Sequence, residues 1–128
     1  LRLAALLNDL AKKSNRILPV LAEINVGDDP NKSGIATEDA ERFCENLLTM
    51  TSLRLDGFMA MLPLGCNEFK KMEYFTKISE ISLDISKKLF HNKTMLMSMG
   101  MSGDYIEAIK CGSTMIRIGT ALFGQRQR

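Results

Sequence analysis

The 128-residue sequence holds one histidine and three cysteines, and no two cysteines stand at C-x-x-C spacing. An odd count without that spacing argues against a secreted disulfide framework and against a structural zinc site. Cys44 and Cys111 therefore read as small apolar packing groups. His91 has no second imidazole near it in sequence, so it reads as a surface residue at a helix end rather than a ligand or general base. No apolar run approaches the roughly 20 residues of a membrane-spanning helix, and the first residues lack the charged-then-apolar order of a secretory leader. The expected setting is soluble and cytoplasmic, or organellar if an upstream targeting segment exists. The 17 basic and 15 acidic residues are interspersed for a net charge of +2. With no basic stripe and no acidic tail, neither a nucleic acid nor a membrane is an expected partner.

What remains is the composition of an ordinary globular domain, 45% hydrophobic and 25% charged, enough to bury a core. Leu3, Leu6, Leu7 and Leu10 recur on one helical face. Ile17 to Val26 is a mostly apolar, branched run ending in Gly27, Asp28, Asp29, Pro30 and Asn31, which reads as a buried strand and a solvated turn. Thr37 is placed to cap a helix bearing Ala40, Phe43, Cys44, Leu47 and Leu48. A second strand is expected within Leu53 to Leu64, and a long helix from Asn67 carries Phe69, Met72, Phe75, Ile78, Ile81, Ile85 and Leu89 at spacings of three and four. Thr94 to Ser98, Asp104 to Lys110 and Thr114 to Thr120 complete the order as strand, short helix and strand, with Gly112 as the helix stop. Four helices alternate with four strands and no low-complexity linker divides them, so residues 1–128 read as one α/β domain. Its sheet is expected to be parallel with both faces covered, whether open or part of a closed barrel. The many methionines, among them Met59, Met61, Met95, Met97, Met99, Met101 and Met115, read mainly as core filler.

Ligands of parallel α/β folds sit beyond the carboxyl ends of the strands, which directs attention to the loops after Val26, Leu62, Ser98 and Ile118. Two of these have the composition of an anion cradle. Gly100 permits a tight path, and Ser102 offers a hydroxyl where the helix near Asp104 would expose unpaired N–H groups. Its competing role is that of a simple N-cap. Gly119 and Thr120 make a second glycine-and-hydroxyl turn one strand later. Arg117 lies between Ile116 and Ile118 in an apolar strand, where an unpaired guanidinium is costly. It is expected to meet either a carboxylate or a ligand. Asn25, at the end of the first strand, reads equally as a turn former or a ligand contact.

The run SMGMSGDYIEAIKCGSTMIRIGTALFGQR, residues 98 to 126, closely resembles the carboxy-terminal signature of the pyridoxal phosphate homeostasis proteins (the YggS/PROSC family). LAEINVGDDPNKSGI resembles that family's strand and Lys-Ser-Gly loop, and LRLDGFMAML its next strand. The resemblance implies part of a (β/α)8 TIM-type barrel like the amino-terminal domain of alanine racemase, with pyridoxal 5'-phosphate (PLP) as cofactor. Carried over by motif, Ser102, Gly119 and Thr120 would hold the phosphate with Met101 beside it. Arg117 would lie near the pyridine ring, and Asn25 and Met59 would line the pocket. The family's Val-Ser-Lys strand, whose lysine binds the cofactor covalently, and its Gly-Glu-Asn motif are absent here, and Lys32 matches the later Lys-Ser-Gly loop instead. The resemblance therefore implies the carboxy-terminal half of such a barrel, completed by a missing half or a partner chain. The function it implies is a non-catalytic carrier or buffer of PLP. A racemase-like enzyme or a truncated homologue that no longer binds cofactor are the alternatives.

Overall fold

The structure, a computed structural model, describes residues 1–27 and 33–124. Asp28, Asp29, Pro30, Asn31 and Lys32, read above as a turn and a lysine loop, lie outside the described residues, as do residues 125–128. The helix–strand alternation is present: α1 (Arg2–Lys13), β1 (Leu18–Asn25), β2 (Ile35–Ala36), α2 (Ala40–Leu48), β3 (Leu53–Ala60), α3 (Glu68–Leu89), β4 (Leu96–Met101), α4 (Tyr105–Lys110), β5 (Met115–Arg117) and α5 (Thr120–Phe123). The strands form one sheet in the order β2-β1-β3-β4-β5, and every pairing is parallel.

Two elements exceed the four strands and four helices read from the sequence. β2 is only two residues long, and α5 is a single turn, both too short for hydrophobic periodicity to register. Thr37 does not cap α2. It begins a 3-10 turn over Thr37–Asp39, and its hydroxyl turns to the Glu38 carboxylate at 3.3 Å. Asn67 does cap α3, accepting the Lys70 N–H at 2.9 Å.

Side chains alternate across the sheet with the period of two that strands impose. Ala22 pairs with Phe58 and Phe58 with Met97. These residues join Cys44 and Leu47 of α2, Phe75, Ile78 and Ile85 of α3, and Ala108 of α4 in one buried cluster. All four contributions come from the same side, so the helices cover one face of the sheet. The opposite row runs Glu23–Met59–Ser98–Met115. On that face Met61, Leu96 and Met115 remain exposed. The expectation of two covered faces is thus corrected. The reading of the methionines as mainly core filler holds for Met95, Met97 and Met99, which are buried in the core, and not for Met61, Met101 and Met115, which are exposed.

Candidate functional site

The carboxyl ends of β4 and β5 lie side by side, and the sequence shows how the chain is made to turn there. Gly100 sits at φ +98°, and a Cβ on it would lie 2.7 Å from the Ala108 Cβ and 3.0 Å from the Tyr105 Cα. Only glycine fits a left-handed residue pressed against the next helix. The turn is closed by Asp104, whose carboxylate accepts the Met101 N–H at 2.6 Å. Asp104, not Ser102, is the N-cap residue of α4.

Ser102 is left to reach sideways. Its Oγ accepts the Gly119 N–H at 3.3 Å and the Ala121 N–H at 3.2 Å. The hydroxyl therefore serves the first turn of α5, on the neighbouring strand's loop, which corrects the expectation that it would sit at the start of its own helix. Adjacent parallel strands bring their following loops together, a juxtaposition that spacing along the chain does not reveal.

The β4–β5 ladder that supports both loops is irregular between Ser98 and Met101, and side-chain hydroxyls bridge the gap. Thr114 Oγ1 accepts the Met97 N–H at 2.8 Å. Ser113 Oγ lies within reach of the Met97, Met99 and Met115 carbonyls, nearest to Met99 at 2.6 Å. Arg117 works across three strands. Its guanidinium donates to the Ser98 carbonyl at 2.7 Å, the Ser98 hydroxyl at 2.8 Å and the Ala60 carbonyl at 3.1 Å. These three contacts engage backbone and hydroxyl oxygens of β4 and β3. β3 ends at Ala60 and the β4 ladder is broken beyond Ser98, so carbonyls there need partners, and Arg117 supplies them.

A cavity of about 550 Å³ opens over these loops, bordered by residues 62–66, Lys71, Met101 to Asp104, Gly119 and Thr120. Of the residues singled out from sequence, Met101, Ser102, Gly119 and Thr120 therefore share one cavity. Arg117 and Met59 do not border it. They meet on the open face of the sheet, where Met59 pairs with the same Ser98 that Arg117 holds. Met59 also borders a separate hollow of about 380 Å³ together with Leu3, Glu23 and Gly34. Asn25 ends β1 opposite Ala36 of β2, away from the cavity wall. Two wall residues were missed from sequence. Lys71 donates to the Gly103 carbonyl at 2.7 Å, and the Cys66 thiol donates to the Pro63 carbonyl at 3.2 Å. A lysine in a helical pattern carries no signal of its own; only the loop after Leu62 could have pointed there. No group of three or more His, Cys, Asp and Glu suited to a metal ion occurs among the described residues, nor a helix long and apolar enough to cross a membrane.

A family model described as alanine racemase, N-terminal domain, matches residues 1–127. The chain belongs to this family. Among curated relatives, the pyridoxal phosphate homeostasis protein of Synechocystis is 37% identical over 126 residues, which is 98% of this chain and 57% of that protein. That of Haemophilus influenzae is 36% identical over 125 residues, 98% of this chain and 53% of that protein. The chain spans about half the length of the curated relatives it matches. The solved structure of PipY from Synechococcus elongatus without PLP superposes with a TM-score of 0.88 at 28% identity, covering 96% of this chain and 57% of that one. A second structure, described as PipY with PLP bound, superposes with a TM-score of 0.84 at 24% identity, over 96% of this chain and 57% of that one. The family match and these superpositions bear out the resemblance read from the motifs, and they identify the five-stranded sheet as an arc of an alanine racemase-like barrel.

Proposed function

We propose that the cavity beyond β4 and β5 holds the phosphate of PLP, and that the protein serves cofactor homeostasis as a non-catalytic carrier or buffer. The observation that carries this reading is the convergence of the Gly119 and Ala121 N–H groups on Ser102 Oγ. Both contacts are longer than the usual N–H···O distance of about 2.9 Å. An anionic oxygen is a stronger acceptor than a neutral hydroxyl, so a phosphate drawn to this point would gain two backbone donors and the Ser102 proton. Thr120 adds a second hydroxyl on the cavity wall and Met101 an apolar flank.

The ring of such a cofactor supplies an electron sink when bound. Toward it this chain would present the open sheet face, with Arg117, Met59 and, further along, Asn25. Three Arg117 contacts hold the guanidinium in place, and a guanidinium carries five N–H donors. The names of the curated relatives and the description of PipY with PLP bound support the cofactor. A racemase-like reaction would need a proton-transferring side chain facing the ring. Tyr74 packs against the helix-side core instead, with the Lys70 ammonium 4.7 Å from its ring centre, which favours the carrier reading. The missing amino-terminal barrel half, or a partner chain supplying it, belongs to the same proposal.

The test is a titration of the full chain with PLP, followed by absorbance and repeated with inorganic phosphate as competitor. Phosphate is expected to displace PLP, and Ser102→Ala to weaken it about 10-fold, the worth of one hydrogen bond to a charged group. Free amino acids should not racemise. A PLP affinity indifferent both to phosphate and to Ser102→Ala would overturn the site, and racemisation would move the protein into the enzyme class.

A further inference from the structure

The cavity's positive charge among the described residues does not come from the motif residues. Among the described residues on its wall, Lys71 is the one cation and Asp104 the one carboxylate, and Asp104 is engaged by the Met101 N–H. Lys71 sits in the first turn of α3, its N–H bonded to the Asn67 carbonyl. A cation there meets the positive end of the helix dipole, so local physics does not favour it. Its partners lie across the fold: the Gly103 carbonyl at 2.7 Å and the Glu107 carboxylate of α4 at 3.5 Å. The Lys71 and Glu107 side chains are only 22% and 15% exposed. An ammonium has three donors, and these two partners leave one N–H without a protein acceptor among the described residues, on a side chain that borders the cavity.

We propose that Lys71 is a positioning and specificity-determining residue of this cavity, selecting a phosphate monoester over its dephosphorylated form. This rests on the phosphate site proposed above. The ammonium would act twice. By holding the Gly103 carbonyl it fixes the turn that presents Ser102, the adjacent residue. By facing the cavity it supplies the side-chain countercharge that Ser102, Gly119 and Thr120, all neutral, do not have. Glu107 restrains the ammonium and competes with an incoming phosphate for it.

The experiment compares PLP, pyridoxal and inorganic phosphate on the full chain and on Lys71→Gln, Lys71→Arg, Glu107→Gln and Ser102→Ala, at several salt concentrations. Lys71→Gln is expected to weaken PLP and inorganic phosphate about 10-fold while leaving pyridoxal within about two-fold. It should also flatten the salt dependence of PLP binding, since exposed charge attraction is screened by salt. Lys71→Arg should restore most of the affinity. Glu107→Gln releases the ammonium and should hold or raise phosphate affinity, whereas a purely structural Lys71–Glu107 pair would lower it for every ligand alike. Equal losses for PLP and pyridoxal in Lys71→Gln, or an unchanged salt slope, would overturn the inference while Ser102→Ala still weakened PLP. If Ser102→Ala and phosphate competition had no effect on the parent chain, the site reading itself would have failed.

Discussion

Single atoms decide several positions. In β3, a Cβ on Gly57 would collide with the Leu96 carbonyl oxygen, a backbone atom of the neighbouring strand that cannot swing away. The glycine of LRLDGFMAML is therefore a close-approach residue between β3 and β4. Gly57→Ala should cost about 2–3 kcal/mol, the range for overpacking a close-packed interior, read as a lower denaturation midpoint in urea. A change below about 0.5 kcal/mol, the scatter of neutral surface substitutions, would show that the strands separate freely at this point. Cys44 illustrates the opposite limit. Burial, with the nearby Glu41 charge adding to it, pushes its thiol up to about 12, which fits the reading of this cysteine as an apolar packing group.

At the scale of elements, β3 is tied to the turn preceding β4 by Asp56. Its carboxylate receives two Arg54 hydrogen bonds at 2.8 Å and one from Lys93 at 3.0 Å. Lys93 also donates to the Leu55 carbonyl at 2.9 Å. Hydrogen bonding from Arg54, and to a lesser degree the Lys93 contact, holds the Asp56 carboxyl well below the usual carboxylate range against the opposing effect of burial. A carboxyl depressed in the folded state contributes stability above its unfolded value of about 4 and loses it as pH falls through the folded value. Asp56→Asn should therefore be less stable than the parent at pH 7. The gap should narrow progressively as pH falls below about 4, where the unfolded chain takes up a proton that the folded carboxylate still resists. Urea midpoints at pH 7, 4 and 2.5 check this; a gap that stays constant with pH would remove Asp56 from the account.

The whole molecule is an arc with one finished face. The helices bury one side of the sheet, while the other exposes Met61, Leu96 and Met115. Among the described residues, β1 is paired on its outer edge at Ile24 and Asn25, by β2. An apolar sheet face and an unpaired edge attract further chain. The 128 residues on their own should accordingly self-associate, or pair with a segment that continues the barrel. Sedimentation velocity reads this directly, and a single compact monomer species at all concentrations would count against it.

Much of this architecture was legible in the sequence. Period-two and period-three-to-four patterns located the long helices and the main strands, because side-chain burial repeats with the backbone that carries it. The glycine-and-hydroxyl turns picked out two loops that share one cavity, and the motif resemblance named the family that the comparisons show. Pattern could not resolve which partners those residues take. Arg117, expected to meet a carboxylate or a ligand, holds the Ser98 and Ala60 carbonyls on two other strands. Ser102, whose competing role was that of a simple N-cap, serves the next loop rather than capping the helix that follows it. Lys71, ordinary in a helical repeat, joins the cavity only because α3 passes beside the turn at Gly103. Sequence periodicity reports which side of an element is buried, since that depends on local geometry. Which polar groups meet across elements depends on how strands stack side by side, and only the tertiary structure decides it.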